Sequence, residues 1–310
     1  MWSVVAAVTG SAIAAAWPVF PVLCASALLT GGAGGVSIIA VQRHTARIVS
    51  APAVLRKAFS WLAIGLALSN VLGPVLAGFM IDGVGFRAAF LAIATLPVLA
   101  RLSVQGAANR VAMPPGAAHR PGGAWDLWRD PSLRRLFLVT CLLASCWDIH
   151  TFLVPVLGHE RGFPASVIGS ILGAFGMAAA AVRLLTPLVA AHLREWTILV
   201  GAMAATAILF GIYPLMLAPM AMGVCSVLLG FTLGSVQPMV MSLLHQLAPE
   251  HRYGEAVAMR VIVINASSVS IPMVSGVAGS LIGAAGVFWA AGLMVGAGVR
   301  LALGLRPARR

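Results

Sequence analysis

The chain has 310 residues, of which 60% are apolar and 9% are charged, whereas a soluble globular domain is typically about 45–50% apolar and about 25% charged. The mean hydropathy is +0.99, and such a composition excludes an ordinary water-soluble domain. The net charge of +12 does not indicate nucleic-acid binding, because the basic residues lie between apolar segments and do not cluster with aromatic residues.

Apolar stretches near or above about 18 residues recur along the whole chain, and each is long enough to cross a hydrocarbon core of roughly 30 Å. Hydropathy and breaker residues therefore predict an all-α protein, a polytopic transmembrane bundle of about ten spans. The predicted spans are residues 1–17, 20–41, 58–80, 88–104, 133–156, 165–190, 197–214, 220–244, 258–281 and 287–305. The turns between them are short, so neighbouring helices are predicted to run antiparallel.

The basic residues predict the orientation of the chain. All but three of the 20 lysines and arginines fall in alternate loops, which is typical of the cytoplasmic side of a membrane. The exceptions are Arg87 and Arg161 in the opposite loops and Arg183 inside a helix. We therefore expect a multi-pass inner-membrane protein with both termini in the cytoplasm.

A polar stretch rich in Pro, Gly and Arg divides the chain. It includes Met113-Pro-Pro-Gly116 and Arg120-Pro-Gly-Gly123, and this composition predicts a flexible linker because it cannot fill a packed core. We expect an N-terminal bundle of four spans at 1–104, a cytoplasmic linker at 105–132 and a six-helix bundle at 133–310.

The two sides of this linker resemble each other. A shift of 198 residues aligns Ser69 with Ser267, Pro74 with Pro272, Gly78 with Gly276 and Phe90 with Phe288. Their fixed order indicates two parallel repeats. In this register the spans 133–156 and 165–190 have no counterpart in the first half, so the sequence predicts that a pair of N-terminal helices is missing.

One segment carries a family resemblance. Leu72-Gly-Pro-Val-Leu-Ala-Gly78, followed by Asp82-Gly-Val-Gly-Phe-Arg-Ala-Ala-Phe90, is similar to the fifth-helix motif of the major facilitator superfamily and the turn into its sixth helix. The second-half counterpart, Ile271-Pro-Met-Val-Ser-Gly276, is weaker. The resemblance covers nearly the whole chain, as helices three to twelve of that fold. It implies a carrier that works by alternating access around a site near the bilayer midplane.

Two signatures of that family have no match in this chain. The loop pattern between the second and third helices falls upstream of Met1, and its repeat between Arg183 and Arg194 keeps only basic residues and a proline. The fourth-helix arginine, which the family links to proton coupling, has no counterpart because nothing basic occurs before Arg43. The resemblance therefore leaves the coupling proton open.

Five small or kinking residues are predicted to serve helix packing. Small residues let helix backbones approach closely, and a proline kinks a spanning helix. The five are Gly73, Pro74, Gly78, Pro272 and Gly276. The family resemblance implies, in addition, that the kinked helix at Pro74 lines the cavity and limits leakage.

Asp148 is the strongest candidate for a binding residue because it lies near the centre of its predicted span. A carboxylate at that depth costs about 2.5–3.5 kcal/mol on insertion scales and is kept mainly where it faces a cavity or a partner. Two interpretations stay open: an ion pair with Arg183 on the adjacent helix, and binding of a cationic substrate or a proton. His150 is a lesser candidate, although residues two apart on a helix do not share a face.

Uncharged polar residues within the spans form a third group of candidates. They are Asn70, Gln237, Asn265, Ser267 and Ser268. Hydrogen bonds between helices explain them as well as substrate binding does, and Gln237 and Asn265 are placed to line the second-half wall of a central site.

A charged junction precedes the ninth predicted span. Its residues are His245, Glu250, Arg252, Glu255 and Arg260. We interpret this junction as a solvated cluster that at most tunes gating.

Motifs for catalysis are absent from the sequence. There is no phosphate-binding loop, nucleophile elbow or HExxH motif, and the four cysteines form neither a CxxC pair nor a zinc-finger pattern. We expect no enzyme activity, no metal site and no cofactor.

The main hypothesis is a monomeric secondary transporter of a small solute, with proton-coupled efflux as one option. The alternative is a truncated, non-transporting membrane protein derived from such a carrier.

The predicted topology can be tested with reporter fusions. A fluorescent protein fused after Arg110 should fluoresce and alkaline phosphatase fused there should be inactive, because basic loops stay in the cytoplasm. Fusions after Arg161, in an opposite loop, serve as the control and should give the reverse. Phosphatase activity after Arg110 would contradict the orientation.

Overall fold

The computed structural model describes residues 2–48, 52–104, 124–189 and 194–305. Within these ranges the protein is all-α, as predicted, with eight α-helices, three short 3-10 helices and no β-strand. The α-helices are α1 (Trp2–Ala16), α2 (Phe20–Ile48), α3 (Pro52–Val104), α4 (Pro131–Glu160), α5 (Ala165–Val189), α6 (Glu195–Ile212), α7 (Pro219–Leu247) and α8 (Tyr253–Leu303). The 3-10 helices are Ala124–Arg129, Tyr213–Leu215 and Glu250–Arg252.

Local chemistry sets several helix ends. Asp130 caps α4, because its Oδ1 accepts hydrogen bonds from the backbone N–H groups two and three residues on, at 2.8 and 3.0 Å. Pro131 and Pro219 open α4 and α7, where a missing N–H is tolerated. The turn after α4 contains Gly162, whose φ of +73° favours glycine.

Seven of the described helices are long and apolar enough to cross a membrane, so the prediction of ten separate spans is wrong in its count. Helix α1 has 15 residues, or about 22 Å at 1.5 Å per residue, which is shorter than a hydrocarbon core of roughly 30 Å. Helices α3 and α8 have 53 and 51 residues, and each contains two of the predicted spans.

The backbone of α3 and of α8 is interrupted at one glycine each. Gly85 has φ and ψ of 80° and 168°, and Gly283 has 74° and 164°, a region of conformation that is open almost only to glycine. The two glycines lie 198 residues apart, which is the register of the sequence repeat. In chain order α1–α3 therefore correspond to α6–α8, and α4 and α5 have no counterpart among the described helices.

The chain divides into two compact units. Unit 1 comprises Met1–Ser69 and Leu76–Ala118, and unit 2 comprises Asn70–Val75 and His119–Arg310. Of the predicted linker 105–132, only residues 124–132 lie within the described ranges. They contain the 3-10 helix Ala124–Arg129 and the start of α4.

Within unit 1, α1 packs against α2, and many large apolar side chains, such as Trp2 and Leu28, are exposed. Within unit 2, α4 packs against α8, α5 against α7, and α6 against both α7 and α8. The buried core of unit 2 includes Phe137, Phe210 and Phe288. Exposed apolar surface of this extent is suited to lipid rather than to water.

Helices α5 and α7 approach closely at two glycines of α7. A Cβ atom placed on Gly234 would lie 2.6 Å from the Cα of Ala179, and one on Gly230 would lie 2.8 Å from the Cβ of Ala178. There is no room for a methyl group at either position. Small-residue contacts of this kind let helices pack tightly in membranes.

The residues predicted for helix packing have varied surroundings. Gly78 is buried, and Pro74 and Pro272 are half-buried inside their helices. A Cβ on Gly73 would meet no described atom within 4 Å, and one on Gly276 would meet a single atom at 3.9 Å. The packing role of these residues stays a prediction, since the close approach just described involves other glycines.

The α5–α7 contact predicts that Gly234→Ala destabilises the protein. An added methyl group would force the two backbones apart, and overpacking of this kind costs about 1–3 kcal/mol of the free energy of unfolding. The measurement is the midpoint of thermal unfolding in detergent. Gly223→Ala, on the same helix with no atom within 4 Å of the new methyl, is the matched control and should not lower the midpoint. Equal midpoints for both variants would contradict the tight contact.

Candidate functional site

A cavity of about 270 Å³ lies inside unit 2 between α4, α5, α7 and α8. It is slightly smaller than the roughly 300–1,000 Å³ of pockets that hold drug-sized ligands. Each of the four helices contributes one charged or amide side chain to its lining. These are Asp148 of α4, Arg183 of α5, Gln237 of α7 and Arg260 of α8.

Asp148 is half-buried and bonded to α8. Its two carboxylate oxygens lie 3.2 and 3.1 Å from the Oγ of Ser268, and Oδ2 also accepts a hydrogen bond from Ser267 at 3.3 Å. Ser267 in turn lies 3.0 Å from the Oγ of Ser145. The carboxylate is therefore held by neutral hydroxyl groups, and the structure brings together three of the residues that the sequence singled out.

Arg183 reaches the cavity from α5 and lies against an aromatic ring. Its guanidinium carbon is 5.7 Å from the ring centroid of Trp147, which is within range of a cation–π interaction. No carboxylate lies within 4 Å of Arg183 in the described part of the chain. Arg183 and Asp148 line one cavity, but the hypothesised ion pair between them is not formed.

Arg260 is a cavity residue that the sequence analysis missed. It is 7% exposed, and its Nε is buried without a hydrogen-bond partner, so the prediction of a solvated position is wrong for this residue. Because α8 begins at Tyr253, Arg260 lies about two turns, or roughly 10 Å, inside the helix. Arg252 and Glu255, at the helix start, form an ion pair at 2.7 Å.

The three predicted amide residues have different positions. Gln237 lines the cavity beside Pro238, which lies inside α7. Asn70 on α3 and Asn265 on α8 are exposed and do not belong to the lining of this cavity. Their role in binding stays a prediction.

His150 lies in a separate polar chain. Its Nε2 is 3.0 Å from the Oγ of Ser226, which lies 2.8 Å from the hydroxyl of Tyr213. The imidazole is fully buried, and its centroid is 4.3 Å from that of Phe175. His150 and Asp148 thus have different surroundings, as their spacing of two residues on a helix predicts.

The chemistry available in the cavity is that of charged and polar organic groups. Its lining offers one carboxylate and two guanidinium groups, which can bind a charged solute by ion pairs and hydrogen bonds. Among the described residues, no group of three or more His, Cys, Asp or Glu side chains is placed to hold a metal ion.

These features define a class of protein: a polytopic helical membrane protein with a charged cavity inside one bundle. The profile of the Major Facilitator Superfamily matches residues 1–268. The chain belongs to this family of membrane transporters, a class that is not enzymatic in general. No curated protein sequence matches the chain.

Solved transporter structures share the fold at low sequence identity. Two POT family transporters, one in complex with a thioalcohol-conjugated peptide and one with 5-aminolevulinic acid, each have a TM-score of 0.75 with 12% and 13% identity. In both cases the alignment covers 98% of this chain and 79% of the other. The human organic anion transporter MFSD10 (TETRAN) has a TM-score of 0.60 and 17% identity, covering 97% of this chain and 75% of its own. At these identities the likeness shows the fold alone.

The chain of His150, Ser226 and Tyr213 predicts that Ser226→Ala destabilises unit 2. The change removes the hydroxyl group that both neighbours contact, and a buried polar group without its partner costs about 1–3 kcal/mol. Thermal unfolding in detergent measures the effect. Ser280→Ala is the control, because that exposed hydroxyl bonds a carbonyl of its own helix, at 2.7 Å. Two equal midpoints would show that the polar chain adds no stability.

Proposed function

We propose that this protein is a secondary active transporter of a small solute, with the cavity around Asp148, Arg183 and Arg260 as its binding site. The observation that carries the proposal is the meeting of three charged side chains, from three membrane-length helices, in one cavity. An ionised group at the centre of a membrane helix costs about 2.5–3.5 kcal/mol on insertion scales and is kept mainly for function. The family match supports the transport class.

Alternating access is the proposed mechanism. In carriers built from repeats, two parts of the molecule move against each other so that a site near the midplane opens to one side at a time. The equivalent breaks at Gly85 and Gly283 support a duplicated scaffold of this kind. We propose that one copy of the chain, in the inner membrane with both termini cytoplasmic, performs the cycle.

Asp148 is the proposed site of proton coupling. A carboxyl group can take up and release a proton, whereas an arginine stays charged in proteins. The hydroxyls of Ser267 and Ser268 can donate to the carboxylate or accept from the neutral acid, so both protonation states keep their hydrogen bonds. The proteoliposome assay described next also gives the direction of transport, import or efflux.

Asp148→Asn is expected to weaken proton coupling strongly, because an amide group does not ionise and cannot carry the coupling proton. In proteoliposomes with a pH-sensitive dye inside, we expect at least one class among amino acids, organic acids, amines and sugars to drive proton flux with the wild type. The variant should reduce that flux tenfold or more. The sign of the proton flux under each solute gradient gives the direction of transport.

Asp126→Asn is the matched control, since Asp126 lies on the 3-10 helix Ala124–Arg129 and its side chain is 57% exposed. It should transport like the wild type. Unchanged flux in Asp148→Asn would remove Asp148 from the coupling mechanism, and a wild type that moves none of the solutes would contradict the transport proposal.

A further inference from the structure

Among the described residues, the two arginines of the cavity have no hydrogen-bond acceptor. A guanidinium group offers only N–H donors, yet neither Arg183 nor Arg260 makes a hydrogen bond or ion pair within the described ranges, and the Nε of each is buried. A desolvated charge without a partner is unfavourable. The described residues therefore leave donors of both arginines available for acceptor atoms of a bound molecule.

The carboxylate of the cavity does not supply them. Asp148 is bonded to Ser267 and Ser268, and it lies more than 4 Å from both guanidinium groups. With two arginines and one aspartate, the lining carries an excess of one positive charge. Asp148 taken alone suggests a cationic solute, but the two arginines reverse the net charge of the site.

The position of Arg183 also suits an anion. A cation–π contact such as that of Arg183 with Trp147, at 5.7 Å from the ring centroid, supplies no oxygen acceptor to the planar donor edge of the guanidinium group. Carboxylate and phosphate match this planar donor edge with two parallel hydrogen bonds. Arg260 reaches the same cavity from α8.

A second cavity of this protein has no positively charged side chain among the described residues of its lining. A cavity of about 360 Å³ in unit 1, between α2 and α3, is lined by apolar groups and by the hydroxyls of Ser37 and Ser69. Of these two cavities, the one in unit 2 has ionised groups in its described lining and the one in unit 1 has none.

We propose that the cavity in unit 2 binds a small organic oxyanion, a carboxylate or a phosphate, through Arg183 and Arg260. Asp148 then lies beside the bound anion, where it can hold the coupling proton or the ammonium group of a zwitterion. The proposal names the substrate class of the proposed transporter and rests on that function for its role in the cell. Binding itself can be measured without transport.

The test uses the full chain in a neutral detergent. Succinate and inorganic phosphate are the anionic probes, with succinamide and putrescine as neutral and cationic counterparts of succinate. Thermal unfolding and titration calorimetry measure binding. We expect at least one anion to bind and to raise the unfolding midpoint, while succinamide and putrescine do neither. If neither anion binds, or if succinamide binds as well as succinate, the proposal is overturned.

Substitution of each arginine locates the binding. Arg183→Gln and Arg260→Gln should each weaken binding of the stabilising anion tenfold or more, because each removes a charge-assisted contact. Arg300→Gln, which changes an exposed arginine of α8, is the control and should bind like the wild type. Unchanged binding in both cavity variants would overturn the assignment.

Stability without ligand separates binding from a structural role. Because glutamine removes a poorly compensated buried charge, each variant should unfold at the same temperature as the wild type or higher when no anion is present. A marked drop in both variants would assign the arginines to packing and overturn the proposal.

An anionic lipid headgroup has the same oxyanion chemistry, so a further arm compares added phosphatidylglycerol with phosphatidylcholine. Stabilisation by phosphatidylglycerol alone, lost in both arginine variants, would assign the site to lipid and overturn the solute proposal.

Since these assays need no gradient, anion binding without transport contradicts only the proposed function. Transport of another solute without anion binding contradicts only this inference.

Discussion

The hydrocarbon of a bilayer offers no water to a buried polar group, so each such group within a membrane helix needs a partner inside the protein. Many hydroxyls meet this requirement by bonding a carbonyl one turn back, as Thr140 does to Leu136 at 2.7 Å. Asp148 meets it through two serines of a neighbouring helix. Some buried polar atoms do not meet this requirement. Two of them are the Nε atoms of Arg183 and Arg260, and both residues line one cavity.

The cavity depends on where α5 and α7 meet. One of their close approaches, at Ala179 and Gly234, lies four residues before Arg183 on α5 and three residues before Gln237 on α7. Residues three or four apart share a helix face, so the tight contact holds these two cavity residues at a similar level. The small residues Ala179 and Gly234 thus position the polar residues one helical turn further along, Arg183 and Gln237.

The proposed binding site does not follow the internal repeat. Helices α1–α3 correspond to α6–α8, with matching interruptions at Gly85 and Gly283. Asp148 and Arg183, however, lie on α4 and α5, which have no counterpart among the described helices. The matching helices α1–α3 and α6–α8 thus lie in both parts of the chain, whereas the charged cavity described above lies in unit 2.

The sequence by itself determined the helical class and the apolar segments, and it gave the repeat register and singled out Asp148 as a candidate, because hydropathy and the cost of a buried charge act on each helix separately. Only the tertiary structure showed that α3 and α8 each join two predicted spans through a glycine, that Arg260 is buried, and that Arg183 lies over the ring of Trp147 and does not pair with Asp148. These features depend on the rotation and separation of neighbouring helices. Both are fixed by side-chain packing between segments far apart in the chain, which a one-dimensional pattern does not contain.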